Sequence, residues 1–199
     1  YRSGDVREII LVYPNGFRSG YMDHVDGKVM IETMFIQELI PRIDERYRTI
    51  ASREGRVAHG FSMGASGALK FALKYPELFC AAVAYGGGAI DLANTQRKFV
   101  LDILQRNLNS DPELIRQNNS YHYLTKNHET VRRNGTRFLL ICGAEDSWKD
   151  TALAFHAALT AKDIPCELKI LPEMDHHLPN LIDAEGVAAA RFQNHSFGK

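Results

Sequence analysis

The chain has 199 residues, room for one domain with a sizeable core, and 45% apolar against 24% charged residues, which excludes a disordered segment. Lys and Arg number 24 and Asp and Glu also 24. No basic excess therefore points to nucleic acid or an anionic membrane, and no apolar run reaches the ~18–20 residues of a membrane helix.

The first residue is Tyr, and an apolar run begins at Ile9. We expect a native chain that starts earlier, and no compartment is readable from this beginning. Five short, mostly apolar runs read as strands: 8–13, 57–61, 81–85, 137–142 and 167–171. They lack strict alternation, as strands covered on both faces of a parallel sheet do. After the first, Ile31, Phe35, Leu39, Ile43 and Tyr47 recur every four residues and define one helical face, which Pro41 should kink. A second helix is expected over 63–75, stopped by Pro76, with Gly64, Ala65, Gly67 and Ala68 allowing close packing on a sheet. The segment 91–135 reads as a helical insertion, long enough to wall a pocket. A further helix opens at Ser147, with Asp150 completing a capping box, and buries Trp148, Ala152, Phe155 and Leu159. The last runs over about 181–192. Strand and helix alternate throughout residues 1–199, so the expected class is one α/β domain with a mostly parallel sheet. Cys80, Cys142 and Cys166 are few, odd in number and far apart, against a disulfide framework or zinc knuckle, and read as small buried hydrophobes.

The chemistry centres on Gly60-Phe61-Ser62-Met63-Gly64, a G-x-S-x-G between an apolar run and a small-residue helix. A nucleophile elbow has this context: the serine sits at a strained strand-to-helix turn, where side chains at Gly60 and Gly64 are expected to collide. The helix that follows aims its N-terminal amides at a developing oxyanion, the Met63 N–H first. Serine needs a base, and the base an orienting acid, in the chain order Ser, acid, His. Asp146 follows the run 137–142, with Glu145 as the fallback. His176 follows the run 167–171, with His177 as its rival. Neither H-E-x-x-H nor C-x-x-C is present, so no metal is expected. Gly86-Gly87-Gly88 fits neither nucleotide-binding pattern.

The stretch from Gly60 to Leu69, followed by Tyr75-Pro76-Glu77-Leu78-Phe79, resembles the elbow region of the putative-esterase family of α/β-hydrolases. That family holds feruloyl and acetylxylan esterases, S-formylglutathione hydrolases, enterochelin esterases and mycolyltransferases. Tyr13-Pro14-Asn15-Gly16, Glu38-Leu39-Ile40-Pro41 and the surroundings of Asp146 and His176 are similar as well. The resemblance implies an α/β-hydrolase fold, a Ser62–Asp146–His176 triad, ester hydrolysis through an acyl-enzyme and no cofactor. Its texture points to feruloyl or acetyl groups on carbohydrate as substrates. Asn15, Gly16, Trp148 and the 91–135 segment are then candidates to shape the substrate pocket, although the helical stripe of Trp148 favours a core role. The family domain carries further strands before its Tyr-Pro-Asn-Gly-like segment, one ending in a loop that gives a second oxyanion donor. Residues 1–13 do not match that loop. The sheet is therefore expected to lack its N-terminal strands, leaving 8–13 either paired with the elbow strand or without its usual neighbours. That leaves open a homo-oligomer or a strand-supplying partner. The rival functions are an acyltransferase with the same triad and a non-catalytic scaffold relative.

Overall fold

A computed structural model describes residues 6–198. Its centre is a four-stranded, all-parallel sheet in the order β1-β2-β3-β4: Val57–Phe61, Ala81–Tyr85, Arg137–Gly143 and Cys166–Leu171. Alternate residues of β2 and β3 serve two separate cores. Ala82, Ala84, Phe138 and Leu140 face Leu69, Ala72 and Leu73 of α3 (Met63–Lys74), Tyr123 and Leu124 of α6 (Ser120–Arg133) and Phe155 and Leu159 of α7 (Lys149–Thr160). Ala81, Val83, Tyr85, Leu139 and Ile141 face Leu181, Ala189 and Phe192 of α8 (Leu178–Ser196). Burial on both faces explains why these strands read as continuous apolar runs. The segment 91–135 folds as α4 (Lys98–Leu108), α5 (Pro112–Asn118) and α6. Val100, Leu104 and Leu108 of α4 close a third core with Met22 and Leu92, against which Trp148 packs.

Three expectations are corrected. The run 8–13 is not a strand: no ladder forms there, and Ile10, Leu11, Val12 and Tyr13 are exposed. A parallel strand exists only through hydrogen bonds to a neighbour. Among the described residues β1 pairs with β2 alone and offers its other edge to no strand.

The helix around Pro41 is not a single kinked α-helix. It runs as α1 (Ile31–Thr33), a π-helical stretch Met34–Leu39 and α2 (Ile40–Arg46). The Ile40 N–H donates five residues back to Phe35 O. Widening the turn just before Pro41, whose nitrogen has no hydrogen, places the missing donor at the start of a helical segment, where it is tolerated. The wider turn also shifts the apolar stripe. Phe35, Ile36 and Ile40 join the core in place of the four-residue series through Leu39 and Ile43.

The capping box at Ser147 does not form. The N-cap of α7 is Trp148 with no side-chain cap. The turn is held by Asp146, whose Oδ1 accepts the Trp148 N–H at 2.8 Å and whose carbonyl accepts the Lys149 N–H at 3.0 Å.

Candidate active site

All the chemistry-bearing loops leave the C-terminal ends of parallel strands. Ser62 follows β1 directly, with φ 55° and ψ −114°, a strained conformation for a non-glycine residue. Its N–H still donates to Tyr85 O at 2.9 Å, so β1 keeps its pairing up to the residue where the chain turns into α3. A Cβ on Gly60 would overlap the backbone carbonyl of Gly64, which makes glycine obligatory at position 60. Gly64 is different. A Cβ there would meet only the Tyr21 hydroxyl, at an ordinary 3.5 Å. The expected collision at Gly64 is therefore absent, because the turn closes on residue 60 and a Cβ on residue 64 would touch only Tyr21.

His176 Nε2 lies 2.9 Å from Ser62 Oγ, and His176 Nδ1 lies 2.7 Å from Asp146 Oδ2. With Nδ1 protonated toward the carboxylate, Nε2 accepts the Ser62 hydroxyl. The Asp146 side chain is fully buried and that of His176 is 31% exposed. The carboxylate is thus shielded while the imidazole stays partly open. The Asp146 and His176 loops are stitched together: Ala144 N–H donates to Leu171 O at 2.8 Å and Glu145 N–H to Met174 O at 2.9 Å. Gly143 is packed against the Met174 carbonyl. Between the two strategies for the acid, geometry brings Asp146 to the imidazole and leaves Glu145 exposed. Between the two histidines, it brings His176 to Ser62, while His177 is the exposed N-cap of α8.

Met63 opens α3, so its N–H has no carbonyl within the helix to bond. Trp148 contributes its backbone N–H to Asp146, while its ring lies under the Arg97 guanidinium at 4.1 Å. Asn15 turns back on its own loop, its Oδ1 accepting the Phe17 N–H at 2.8 Å, and Gly16 packs on the Tyr21 ring. Neither hydrogen-bonds to Ser62, His176 or Asp146. Burial, and then the neighbouring Asp146 carboxylate, push the Cys142 thiol up to about 12, so it stays protonated under the acid. Among the described residues no group of three or more His, Cys, Asp or Glu could hold a metal ion.

One structural support was not foreseen. Gly86-Gly87-Gly88 leaves the end of β2, level with the elbow, because Phe61 pairs with Tyr85. Gly86 has φ +66°, and a Cβ on it would lie 2.5 Å from Phe61 Cε2 and 3.0 Å from His176 Cε1. A Cβ on Gly87 would crowd Trp148, and one on Gly88 the Thr151 carbonyl. The three glycines form a thin strip between the histidine and the start of α7. Three successive glycines at the end of a buried strand were the available signal.

A family model described as Putative esterase matches residues 6–138. Esterase Rv1288 of Mycobacterium tuberculosis (strain ATCC 25618 / H37Rv) is 39% identical over 108 residues, which cover 52% of this chain. The match spans only 23% of the length of that relative. Among solved structures, a ferulic acid esterase superposes with a TM-score of 0.77 at 23% identity, over 99% of this chain and 74% of that one. The S-formylglutathione hydrolase from Agrobacterium tumefaciens gives 0.74 at 22% identity, over 90% and 64%. At these identities the structures establish the fold, which is that of the α/β-hydrolases.

Proposed function

Since this chain belongs to the Putative esterase family, we propose that it is a serine esterase that hydrolyses carboxylic esters through a covalent acyl-enzyme. The observation that carries the reading is the unbroken hydrogen-bond chain from Ser62 Oγ through the His176 ring to a buried Asp146. A polar relay anchored on a shielded carboxylate, opening on a serine in strained backbone geometry, has the parts that nucleophilic catalysis needs.

In this reading His176 Nε2 takes the Ser62 proton as Oγ attacks the ester carbonyl. The Met63 N–H donates to the oxyanion. Protonated His176 then delivers its proton to the leaving alcohol, and water repeats the cycle to release the acid. Asp146 holds the ring in the productive tautomer and stabilises its charged form. The acyl groups proposed are feruloyl or acetyl on carbohydrate, in keeping with the ferulic acid esterase among the structural neighbours. Trp148 and the 91–135 segment, whose helices α4 and α5 share the third core with it, are proposed to wall the acyl side.

The test is hydrolysis of p-nitrophenyl acetate by the chain beside Ser62→Ala, with circular dichroism on both. The expected loss of turnover is about four or more orders of magnitude. Equal turnover in the two folded proteins refutes the assignment.

A further inference from the structure

Tyr21 carries features that the triad leaves unexplained. Its backbone φ is 59°, in the left-handed region that bulky residues avoid. Such a conformation persists only when the surroundings over-determine it, and here they do. The Tyr21 N–H donates to Ser19 Oγ at 3.0 Å, and Lys70 Nζ donates to Tyr21 O at 2.6 Å. Lys70 is buried on α3 and also donates to Glu32 Oε2 at 2.6 Å and Asn118 Oδ1 at 3.0 Å. A buried ion pair is thus used to fix one loop carbonyl. The Tyr21 ring is clamped edge-on between Phe35 and Phe71, at 5.5 and 6.1 Å between centroids.

The direction of the ring is equally defined. A Cβ on Gly67 would fall 2.6 Å from Tyr21 Cγ, and a Cβ on Gly64 would fall 3.5 Å from its hydroxyl. The ring therefore lies along α3 with its base at Gly67 and its tip one turn nearer Ser62. The missing side chain at Gly67 makes the groove that admits it, whereas a methyl at Gly64 would only touch the hydroxyl. The hydroxyl at that tip has no hydrogen-bond partner among the described residues. The hydroxyl is not among the buried side-chain atoms that lack a partner, so it stays open at its tip, firmly held and with a donor free for a ligand.

We propose that the Tyr21 hydroxyl is a second donor to the oxyanion formed at Ser62, acting beside the Met63 N–H; this rests on the esterase reading above. As Oγ bonds to the carbonyl carbon and the serine proton passes to His176, the carbonyl π pair moves onto its oxygen. Tyr21 donates a hydrogen bond to that oxygen and keeps its proton. Burial raises the phenol pKa from its ordinary value, which keeps the donor hydrogen in place.

The experiment compares kcat and KM for p-nitrophenyl acetate in the chain with Tyr21 replaced by Phe and by 4-aminophenylalanine, with melting curves for each. Tyr21→Phe keeps the ring and removes the donor. The expected result is a fall in kcat of about 100-fold, KM within about 2-fold, an unchanged melt, and recovery with the amino analogue. A Tyr21→Phe protein with wild-type kcat overturns the proposal while leaving the esterase reading intact. Absence of Ser62-dependent turnover in the unmodified chain overturns both. If the Phe variant does not fold, 4-methylphenylalanine set against 4-aminophenylalanine varies the donor at near-constant shape, and equal kcat in that pair overturns the proposal.

Discussion

Gly86→Ala isolates the role of the glycine strip. The substitution carries two separable penalties. A non-glycine residue at φ +66° costs about 1–2 kcal/mol in backbone strain. The new methyl also lands 2.5 Å from Phe61 Cε2 and 3.0 Å from His176 Cε1, so rings must move by roughly 1 Å, and overpacking of this kind adds about 1–3 kcal/mol. Phe61 and His176 pack as tilted rings at 4.6 Å between centroids, so any displacement of Phe61 is passed to the imidazole. A 1 Å error in a reacting group costs about 100-fold in rate. Gly135→Ala is the internal control, since Gly135 has φ +64° and nothing within 4 Å of a Cβ. Urea unfolding should show Gly135→Ala losing only the strain and Gly86→Ala losing about 2–5 kcal/mol in all. In p-nitrophenyl acetate hydrolysis, Gly135→Ala should match the parent and Gly86→Ala should fall by about two orders of magnitude in kcat. Equal stability losses in the two variants, with activity retained in both, would refute the account of the strip.

His176→Ala should abolish turnover in the same assay, whereas His177→Ala should stay within about 3-fold of the parent, because only His176 hydrogen-bonds to Ser62; the reverse order would reassign the base. The buried Glu32 predicts a specific acid sensitivity. Burial alone would raise its carboxyl pKa, but Lys70 and Lys74 together hold it below the ordinary 4.5. A depressed carboxylate contributes its full stability above 4.5 and loses it as pH falls through the lower folded value. Glu32→Gln should therefore cost about 3–5 kcal/mol at pH 7 by leaving Lys70 unpaired, and its urea midpoint should decline less steeply than the parent's as pH falls below 4.5; parallel declines would count against the pairing.

Much of this arrangement was legible in the chain because its signals are local. The four strands that pair are short apolar runs, and the Ser62, Asp146 and His176 loops each follow one of them. What escaped the sequence depends on partners distant along the chain. The run 8–13 has a strand's composition, but pairing is decided by a neighbour, and among the described residues none pairs with it. The stripe through Phe35, Leu39 and Ile43 assumed 3.6 residues per turn, and a single wider turn before Pro41 re-aims it. Ser147 and Asp150 have the spacing of a capping box, yet Asp146 serves both the imidazole and the start of α7, and that dual use is visible only in three dimensions. Tyr21 gave no signal, because its backbone is set by Lys70, 49 residues away.

The distance along the chain between the serine and its histidine has a consequence during synthesis. Ser62 and His176 are 114 residues apart, and β3 and β4 must pair in parallel before the imidazole can reach the hydroxyl. Parallel pairings close long loops and form late. On the proposed reading, a nascent chain carries Ser62 as an ordinary, unreactive serine while the next 114 residues are made. On that reading reactivity arrives only when β4 docks, so a product that stops short of it lacks the power to attack esters.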